Sequence, residues 1–487
     1  MKQKTLSKPK RLLCLCLSLL LLLPAVALTG CHKKGADKDT QNPGGNVSSS
    51  GYPLDFSGKD YDGYEFNFLR YDAETDRGWT GIPNDIFSEG MSADVLENAV
   101  YNRNNEVGKM LNVKIGMRLY GSGLSTHLQN DCLSGDPSYD AIIQVTTYLY
   151  QLFNLGLLKN MSTLNLDTSY DWWDQNSINT LTVNGKTFGM VSDITYIDKL
   201  STVGVFFNTG LAESLQLGNL FDLVDSGKWD YETFTGYAKT ATDSLEGVTG
   251  ISCQNDASYF FLHAAGLKTA GKVGGEIQCL LRNTRQINVL QDIFRMMNSN
   301  YFFNRQSAGL DVTDTIKKFA QSSENLFMVR PLQSYYNIKD YSDNYGILPM
   351  PKYDSASDTY YSPINIYSAG TLCLPYTAQN NERIADVLQA MGMVSRSIVM
   401  PEFYDTVLGL RFANDLQSSR MLDIIFQNRV YDIGMIWNFG DLRSILVLSG
   451  AALEVAENTV ASNISGSYDQ IKKGISNFLT AVDNYTN

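Results

Sequence analysis

The chain has 487 residues, enough for two to four domains of roughly 100–200 residues each. Apolar residues make up 44% and charged residues 18%, which excludes a disordered acidic tail protein and a coiled-coil rod. The net charge is −12, and removal of an N-terminal leader with five basic and no acidic residues leaves 34 basic against 51 acidic residues, or −17. Such a body repels phosphate backbones, so we expect no nucleic-acid partner. Strongly anionic small ligands are also disfavoured, unless a local basic pocket overrides the average.

The first thirty residues have the order of a secretory signal. Five positive charges precede the apolar run Leu12–Leu23, and small residues then lead to Leu28-Thr29-Gly30-Cys31. The run is shorter than the ~20 residues of a spanning helix. The last four residues resemble a bacterial lipobox, which implies cleavage before Cys31 and acylation of that cysteine. An uncleaved N-terminal anchor is the alternative.

Residues 32–51 are polar and small, with one large apolar side chain, Val47, and they predict a flexible tether. An acylated cysteine followed by a tether predicts a soluble body that is lipid-anchored at the outer face of the cytoplasmic membrane. Four cysteines remain in that body, without a C-x-x-C pair, and the chain has only three histidines, so we expect no metal site. Their spacing does not decide between disulfide bonds and isolated thiols, and both alternatives stay open for Cys132, Cys253, Cys279 and Cys373.

Strand and helix patterns alternate along the body, which predicts an α/β fold. In the first part, strands are predicted at Glu65–Leu69, Val113–Met117 and Asp140–Val145, and helices at Asp94–Leu111, with Asp94 as N-cap, and Tyr148–Leu157. In the second part, strands are predicted at Val203–Phe207, Asn325–Val329 and Tyr345–Leu348, with a helix capped by Asp230 and a largely helical region from Glu382 onward.

From about Tyr61 to Asp432 the sequence resembles bacterial extracellular solute-binding proteins, the lipoprotein receptors of ABC importers, and within them the family 1-like, sugar-type cluster of Gram-positive bacteria. The resemblance rests on the order and spacing of short segments: Gly63–Phe66, Asn98–Asn104, Tyr139–Ile143, Leu152–Leu158, Trp172-Trp173, Phe206–Asn208, Gly227–Asp230, Gly346–Lys352, Pro401–Asp405, Ser418–Ile425 and Tyr431–Gly434.

The resemblance implies a two-lobed periplasmic-binding-protein-like fold of class II type, with a hinge and a helical C-terminal region. It would place lobe one at 52–192 plus 348–402 and lobe two at 200–346 plus 403–487, joined through 189–203 and 345–351. It also implies a monomer without cofactor that delivers a small solute, most often a sugar, to ABC permease subunits in the membrane.

Ligands of open α/β sheets bind beyond the carboxyl ends of the strands, and this rule selects candidate residues. They follow predicted strands or lie at the first crossover and in late turns: Tyr71, Asp72, Trp79, Thr147, Tyr148, Ser192, Asp193, Asn255, Asp256, Tyr259, Arg330, Gln333, Tyr335, Trp437 and Asn438.

These residue types suit a neutral polyhydroxylated ligand, because rings pack on sugar C–H faces while carboxylates, amides and guanidinium groups bond hydroxyls. Trp79 and Trp437 are the expected stacking rings. Packing is the alternative for both, turn capping for Asp72 and Asp193, and a salt bridge for Arg330. Trp172, Trp173, Trp229 and His263 are expected to be structural.

Two other functions stay open. A secreted glycosidase would use two carboxylates, but the 51 acidic residues give pairing no diagnostic value, and the sequence has no G-x-S-x-G, H-E-x-x-H or P-loop motif. We therefore expect a binding protein rather than an enzyme. A peptide-binding or sensor subunit with the same fold is the second alternative.

Overall fold

A computed structural model describes residues 51–72, 84–121, 123–135, 138–409, 416–448 and 450–486. The predicted leader, Cys31, the tether up to residue 50 and Trp79 lie outside the described residues. Chain contacts separate residues 1–53 from residues 54–487, and the second unit holds every element described below.

The strands of the described residues are short, between two and eight residues. In chain order they are β1 (Tyr64–Tyr71), β2 (Val113–Tyr120), β3 (Ala141–Val145), β4 (Val203–Asn208), β5 (Thr249–Cys253), β6 (Ala270–Val273), β7 (Glu276–Cys279), β8 (Phe302–Asn304), β9 (Asn325–Pro331), β10 (Tyr345–Leu348), β11 (Ser362–Pro363), β12 (Gly370–Cys373) and β13 (Arg429–Val430).

The helices of the same residues connect and cover these strands. They are α1 (Val95–Leu111), α2 (Leu124–Ser134), α3 (Leu149–Asn154), α4 (Gln175–Leu181), α5 (Ile197–Leu200), α6 (Thr209–Ser214), α7 (Leu220–Asp225), α8 (Tyr231–Ser244), α9 (Ala257–Ala264), α10 (Thr284–Met297), α11 (Val312–Gln321), α12 (Tyr335–Ile338), α13 (Asn381–Val394), α14 (Met400–Gly409), α15 (Leu416–Gln427), α16 (Ile433–Trp437), α17 (Leu442–Leu446) and α18 (Gly450–Asp483).

The first sheet has the strand order β12-β3-β1-β2. Strands β2 and β3 both run parallel to β1, whereas β12 runs antiparallel to β3. All five residues of β3 are buried, as expected for a strand with both faces covered. The carboxyl ends of β1, β2 and β3 therefore meet at one edge of this sheet.

The second sheet has the order β10-β4-β9-β5-β8. Strands β8 and β9 run parallel to β5, while β4 runs antiparallel to both β9 and β10. The carboxyl ends of β5, β8 and β9 consequently share an edge with the beginning of β4. Together the two sheets divide the structure into two α/β parts.

Most predicted elements are confirmed. Asp94 caps α1 by accepting hydrogen bonds from the N–H groups of Leu96 and Glu97, and Asp230 caps α8 through Thr233 N–H. The helix expected at Tyr148–Leu157 differs, because Thr146–Tyr148 forms a 3₁₀ turn and only Leu149–Asn154 is α-helical. This tight turn brings residues 146–148 directly over the end of β3.

The chain passes between the two sheets more than once, since the first sheet takes its strands from 64–145 and 370–373 and the second from 203–348. The lobe boundaries inferred from the resemblance remain a prediction. Within the described residues, no single helix combines the length and apolar composition needed to cross a membrane. The bent pair 439–446 and 450–483 meets those two criteria jointly; eight apolar side chains of its long helix, α18, are buried, whereas Val455 is exposed.

Candidate functional site

Two tyrosines and a small cavity occupy the shared edge of β1 and β3. Tyr71 ends β1, and its ring stacks on that of Tyr148 at 5.8 Å between centroids and 11° between planes. Beside them lies a cavity of about 190 Å³, lined by Tyr71, Gly123, Leu124, Ser125, Tyr148, Gln151 and Leu152. Pockets that enclose a whole ligand measure roughly 300–1,000 Å³, so this cavity alone is too small to enclose one.

The rings at this edge are accessible to a ligand. Tyr148 is 36% exposed and Tyr150, on α3, is 37% exposed, while Tyr71 beneath Tyr148 is buried. Thr147 is half-buried, and Asp72 follows β1 with its N–H bonded to Tyr120 O at 2.8 Å. We call Tyr71, Asp72, Thr147, Tyr148 and Tyr150 the first-sheet edge; its chemistry is aromatic, with one carboxylate.

Charged and amide side chains occupy the corresponding edge of the second sheet. Arg330 lies near the end of β9 and donates to Gln254 Oε1, the same oxygen that accepts from Arg305 Nη2 at 3.1 Å. Gln254 Nε2 in turn donates to Asp256 Oδ2. We call Gln254, Asn255, Asp256, Arg305 and Arg330 the second-sheet edge.

Burial shapes the ionisation of this edge. Burial raises the pKa of Asp256 to about 6, although the hydrogen bond from Gln254 and the charges of Arg330 and Arg305 act in the opposite direction. Burial, together with the charge of the neighbouring Arg305, lowers the pKa of Arg330 to about 10. These charged groups are held out of water at the end of a parallel strand pair, which makes them strong candidates for polar contacts with a ligand.

The neighbouring amide joins the same network from the β8 side. Asn304 Nδ2 donates to Asn255 Oδ1 at 2.7 Å, and the Asn255 N–H donates to Gln306 Oε1 at 2.8 Å. Asn255 is half-buried. The edge therefore presents amide and guanidinium donors from three successive strand ends.

Arg443 lies near tyrosines from both parts of the fold. Its Nε and Nη2 donate to the carbonyl oxygens of Met435 and Ile436 at 2.8 and 2.7 Å. Burial lowers the pKa of Arg443, while Tyr367, Tyr259, Asp441 and Tyr150 raise it. Tyr150 belongs to the first part of the fold and Tyr259 to the second, so both parts face the same guanidinium.

Tyr259, on α9, and Tyr367, just before β12, are linked through Asn365. Asn365 Oδ1 accepts from Tyr259 Oη at 3.3 Å and from the N–H of Tyr367 at 3.0 Å. Tyr259 is fully buried, whereas Tyr367 is 39% exposed. Burial raises the pKa of Tyr367 to about 12, and the nearby Asp256 adds to that shift. Tyr367 is thus an exposed ring next to the second-sheet edge.

The residues after β9 point toward the first part of the fold. Tyr335 is buried and packs edge-on against Tyr336 at 5.8 Å, while Gln333 is half-buried. Burial raises the pKa of Tyr336, and the charge of Asp94 raises it further. Because Asp94 caps α1, the Tyr336 hydroxyl lies near the first part of the fold.

Ser192 and Asp193 stand apart from both edges. Asp193 pairs with Lys199 at 2.8 Å and with Arg396 at 3.3 Å, and Ser192 Oγ accepts from the Ile194 N–H at 3.2 Å. Both side chains are almost completely buried. Asp193 forms ion pairs with two cations and Ser192 stabilises a turn. Neither side chain is placed to bind a ligand at the two edges.

The expected stacking role of Trp437 is also replaced. Its ring is completely buried and packs on Phe153 at 5.2 Å and on Phe478 at 4.6 Å. The α18 helix that contributes Phe478 covers the ring, and this covering cannot be seen in the local sequence. Asn438 takes a left-handed conformation and its Oδ1 accepts from the Arg443 N–H at 3.0 Å, so it positions Arg443.

Three further tryptophans and the buried histidine are structural, as expected. Trp172 and Trp173 donate to Gln389 Oε1 at 3.0 and 2.9 Å, and Trp229 donates to Pro349 O at 2.8 Å. His263 Nε2 bonds Asp432 at 2.9 Å. The four cysteines that the sequence left open, Cys132, Cys253, Cys279 and Cys373, are free thiols.

Several site residues were missed by sequence reasoning, namely Gln254, Arg305, Tyr150, Asn365, Tyr367 and Arg443. Arg305 follows β8, a three-residue strand with no periodic signal of its own. Tyr367 and Asn365 precede β12, which has the same limitation. Tyr150 could have been selected from the sequence, because it lies only two residues after the candidate Tyr148; the structure shows that it is exposed.

Comparison with known proteins gives the fold. No protein-family model and no curated protein matches the chain by sequence. Among solved structures, it is similar to the ABC substrate-binding protein from Listeria monocytogenes in complex with cycloalternan, at 14% identity and TM-score 0.54 over 85% of this chain and 100% of that one. It is also similar to a cyclo/maltodextrin-binding protein complexed with maltotetraose, at 13% identity and TM-score 0.53 over 86% of this chain and 98% of that one.

A third similar structure is an ABC transporter solute-binding protein from Thermotoga lettingae bound with α-D-tagatose. It has 13% identity and a TM-score of 0.53 over 85% of this chain and 100% of that one. All three neighbours are binding proteins, and each is matched over nearly its whole length. The two sheets and the crossovers between them therefore form the two-lobed α/β fold of ABC substrate-binding proteins.

Proposed function

We propose that this chain is the extracellular substrate-binding lipoprotein of an ABC importer, and that it captures a carbohydrate between its two lobes. The observation that carries the proposal is the convergence on Arg443 of Tyr150 from the first part of the fold, Tyr259 from the second part, and Tyr367 just before β12. The exposed rings of Tyr150 and Tyr367, beside buried amides and guanidinium groups, suit the apolar and polar faces of a sugar.

The similar structures support a carbohydrate as ligand. Their titles name cycloalternan, maltotetraose and α-D-tagatose. In this chain the exposed rings of Tyr148, Tyr150 and Tyr367 would stack on sugar C–H faces. Each charge-assisted hydrogen bond from the second-sheet edge contributes ~1.5–3 kcal/mol, so a few of them with one or two rings reach the −8 kcal/mol of micromolar binding.

Capture would follow from lobe closure. A ligand that contacts both lobes binds the closed form more tightly, and it shifts an open–closed equilibrium by that difference in affinity. The closed form would then dock on permease subunits in the membrane. We propose a monomeric binding role without catalysis, with a secreted glycosidase as the alternative to be excluded.

A screen of the purified full chain in detergent against mono- and oligosaccharides, with peptides as a second set, tests this function. A ligand at a thousand times its Kd stabilises the native state by ~4 kcal/mol, which is a clear rise in melting temperature. Saccharide hits support the proposal, whereas stabilisation by peptides alone would replace it with peptide binding. Release of saccharide fragments during incubation would indicate a glycosidase.

The membrane anchor is a separate part of the proposal. The lipobox-like Leu28–Cys31 and the polar stretch after it support acylation of Cys31 and attachment at the outer face of the cytoplasmic membrane. Replacement Cys31→Ala should move the protein from the membrane fraction to the culture medium. A Cys31→Ala protein that still sediments with membranes would contradict the lipid anchor.

A further inference from the structure

The two arginines of the second-sheet edge share one neutral acceptor. Arg330 Nη1 and Arg305 Nη2 both donate to Gln254 Oε1, and the remaining bonded nitrogen of Arg305 donates to Leu310 O at 3.0 Å. The Nε atoms of both arginines are buried and have no partner among the described residues. Two guanidinium groups thus converge while their donors are only partly used.

Other buried cations of the described residues have carboxylate partners or several carbonyl acceptors. Arg429 contacts the carboxylates of Asp174 and Asp198, and Lys199 contacts Asp193 at 2.8 Å. Arg103, which faces no carboxylate directly, bonds several carbonyl oxygens instead, including Ile86 O at 2.6 Å and Ile194 O at 2.8 Å. A structural arginine in this fold is therefore paired or saturated, and Arg305 and Arg330 are neither.

The counter-charges near the two arginines are indirect. Asp256 belongs to this cluster, but Gln254 stands between it and the arginines, and the charge of Asp311 acts on Arg305 as well. Burial raises the pKa of Asp256 to about 6, which further reduces its negative charge in mild acid. The hydrogen bonds of both arginines go to amide and carbonyl oxygens, and a buried guanidinium without a directly bonded counter-ion is costly.

The start of α9 adds to this preference for an anion. The eight-residue helix begins after Asp256, whose side chain makes no capping hydrogen bond. First-turn N–H groups and the helix dipole favour negative charge at such an end. The helix is a secondary contribution, since the arginine pair supplies full charges.

We propose that the captured saccharide carries a ring carboxylate, as in a hexuronic acid residue, and that Arg305 and Arg330 bind this carboxylate. The inference rests on the proposed function and specifies its ligand class. A carboxylate accepts paired N–H bonds from guanidinium groups and would give the two arginines a directly bonded counter-ion. The first-sheet edge would hold the apolar face of the same saccharide.

Matched pairs of neutral and acidic sugars test the inference by calorimetry on the full chain in detergent. The probes are galactose with galacturonate, glucose with glucuronate, and the corresponding disaccharides. We expect the acidic member of at least one pair to bind at least tenfold more tightly than the neutral member. Binding of neutral sugars without acidic preference would overturn this inference and leave the proposed function intact; binding of no saccharide would overturn both.

A charge-removing variant assigns the preference to the arginines. Arg305→Gln should lower the acidic-over-neutral affinity ratio at least tenfold, and Arg305→Lys should restore part of it. The matched control is Arg285→Gln, because Arg285 is an exposed arginine paired with Asp354 at 2.9 Å and lies outside both edges. Melting temperatures of all three variants establish that they fold. An unchanged ratio in a folded Arg305→Gln protein would contradict the assignment.

Discussion

The two sheet edges differ in what they offer a ligand. The first-sheet edge presents tyrosine rings around a small cavity, and the second-sheet edge presents buried guanidinium, amide and carboxylate groups. Ring faces accept many sugars, since every pyranose has an apolar face, whereas fixed donors discriminate between substituents. We therefore expect the first-sheet edge to contribute general affinity and the second-sheet edge to contribute selectivity.

The largest expected effect comes from the charged edge. Arg330→Gln removes a buried charge at the strand end, and with it up to two charge-assisted hydrogen bonds to the ligand of ~1.5–3 kcal/mol each. We expect the Kd of the best saccharide to rise about a hundredfold, as measured by calorimetry. The melting temperature of the ligand-free variant separates this effect from misfolding. An affinity within threefold of the native value would contradict a contribution of the second-sheet edge to ligand binding.

The aromatic edge should contribute less per residue. Tyr148→Ala removes an exposed ring that stacks on Tyr71, and we expect about a tenfold loss of affinity, since an aromatic contact is worth ~0.5–1.5 kcal/mol beyond its buried area. Tyr148→Phe should lose less than threefold, because the ring face does the packing.

Tyr376 provides the matched control for this prediction. It is 46% exposed and follows β12, whose carboxyl end lies at the opposite edge of the first sheet because β12 runs antiparallel to β3. Tyr376→Ala should therefore leave the Kd unchanged. Equal losses in Tyr148→Ala and Tyr376→Ala would remove the special role of the first-sheet edge.

The charged edge should also influence stability with pH. The pKa of Asp256 is raised from 3.8 to about 6 in the folded protein, so the native state binds the proton more tightly than the unfolded state. Stability from this group therefore rises as pH falls from about 6 to about 4, and it is lost as pH rises through about 6. Asp256→Asn should flatten this part of the profile of melting temperature against pH. A profile identical to that of the native protein would contradict the burial of an ionisable Asp256.

The smallest effect on affinity is expected at Trp437. Its ring contacts Phe153 and Phe478 in the core and has no exposed face. Trp437→Phe should lower the melting temperature by a few degrees through loss of packing, with the Kd within twofold of native. A tenfold loss of affinity without a change in melting temperature would restore the stacking role expected from the sequence.

Much of the fold was predictable because local signals were strong. The alternating Glu65–Leu69 and the apolar Asp140–Val145 segments gave strands, and Asp94 and Asp230 marked two helix starts. Shorter strands such as β8 and β12 are too short to show an alternating hydrophobic pattern. Pairing with neighbouring strands stabilises them, and that pairing is not visible in their own sequence. Residues attached to those strands, including Arg305 and Tyr367, were therefore missed.

The candidate site was predictable only in part. The strand-end rule selected Tyr71, Tyr148, Asp256 and Arg330 correctly as residues at sheet edges, because it depends on topology alone. It failed for Trp437, since burial there comes from α18, some forty residues further along the chain. Distant packing decides whether a loop tryptophan is exposed, and a single sequence does not contain that information.

The central claim is that one saccharide contacts both edges at once. Calorimetric titration of the best saccharide into the native chain, Tyr148→Ala and Arg305→Gln tests it most directly. We expect each variant to lose at least tenfold in affinity for the same ligand, since each would remove contacts from a different edge. A loss in only one of the two folded variants would contradict capture between the lobes and place the ligand on a single edge.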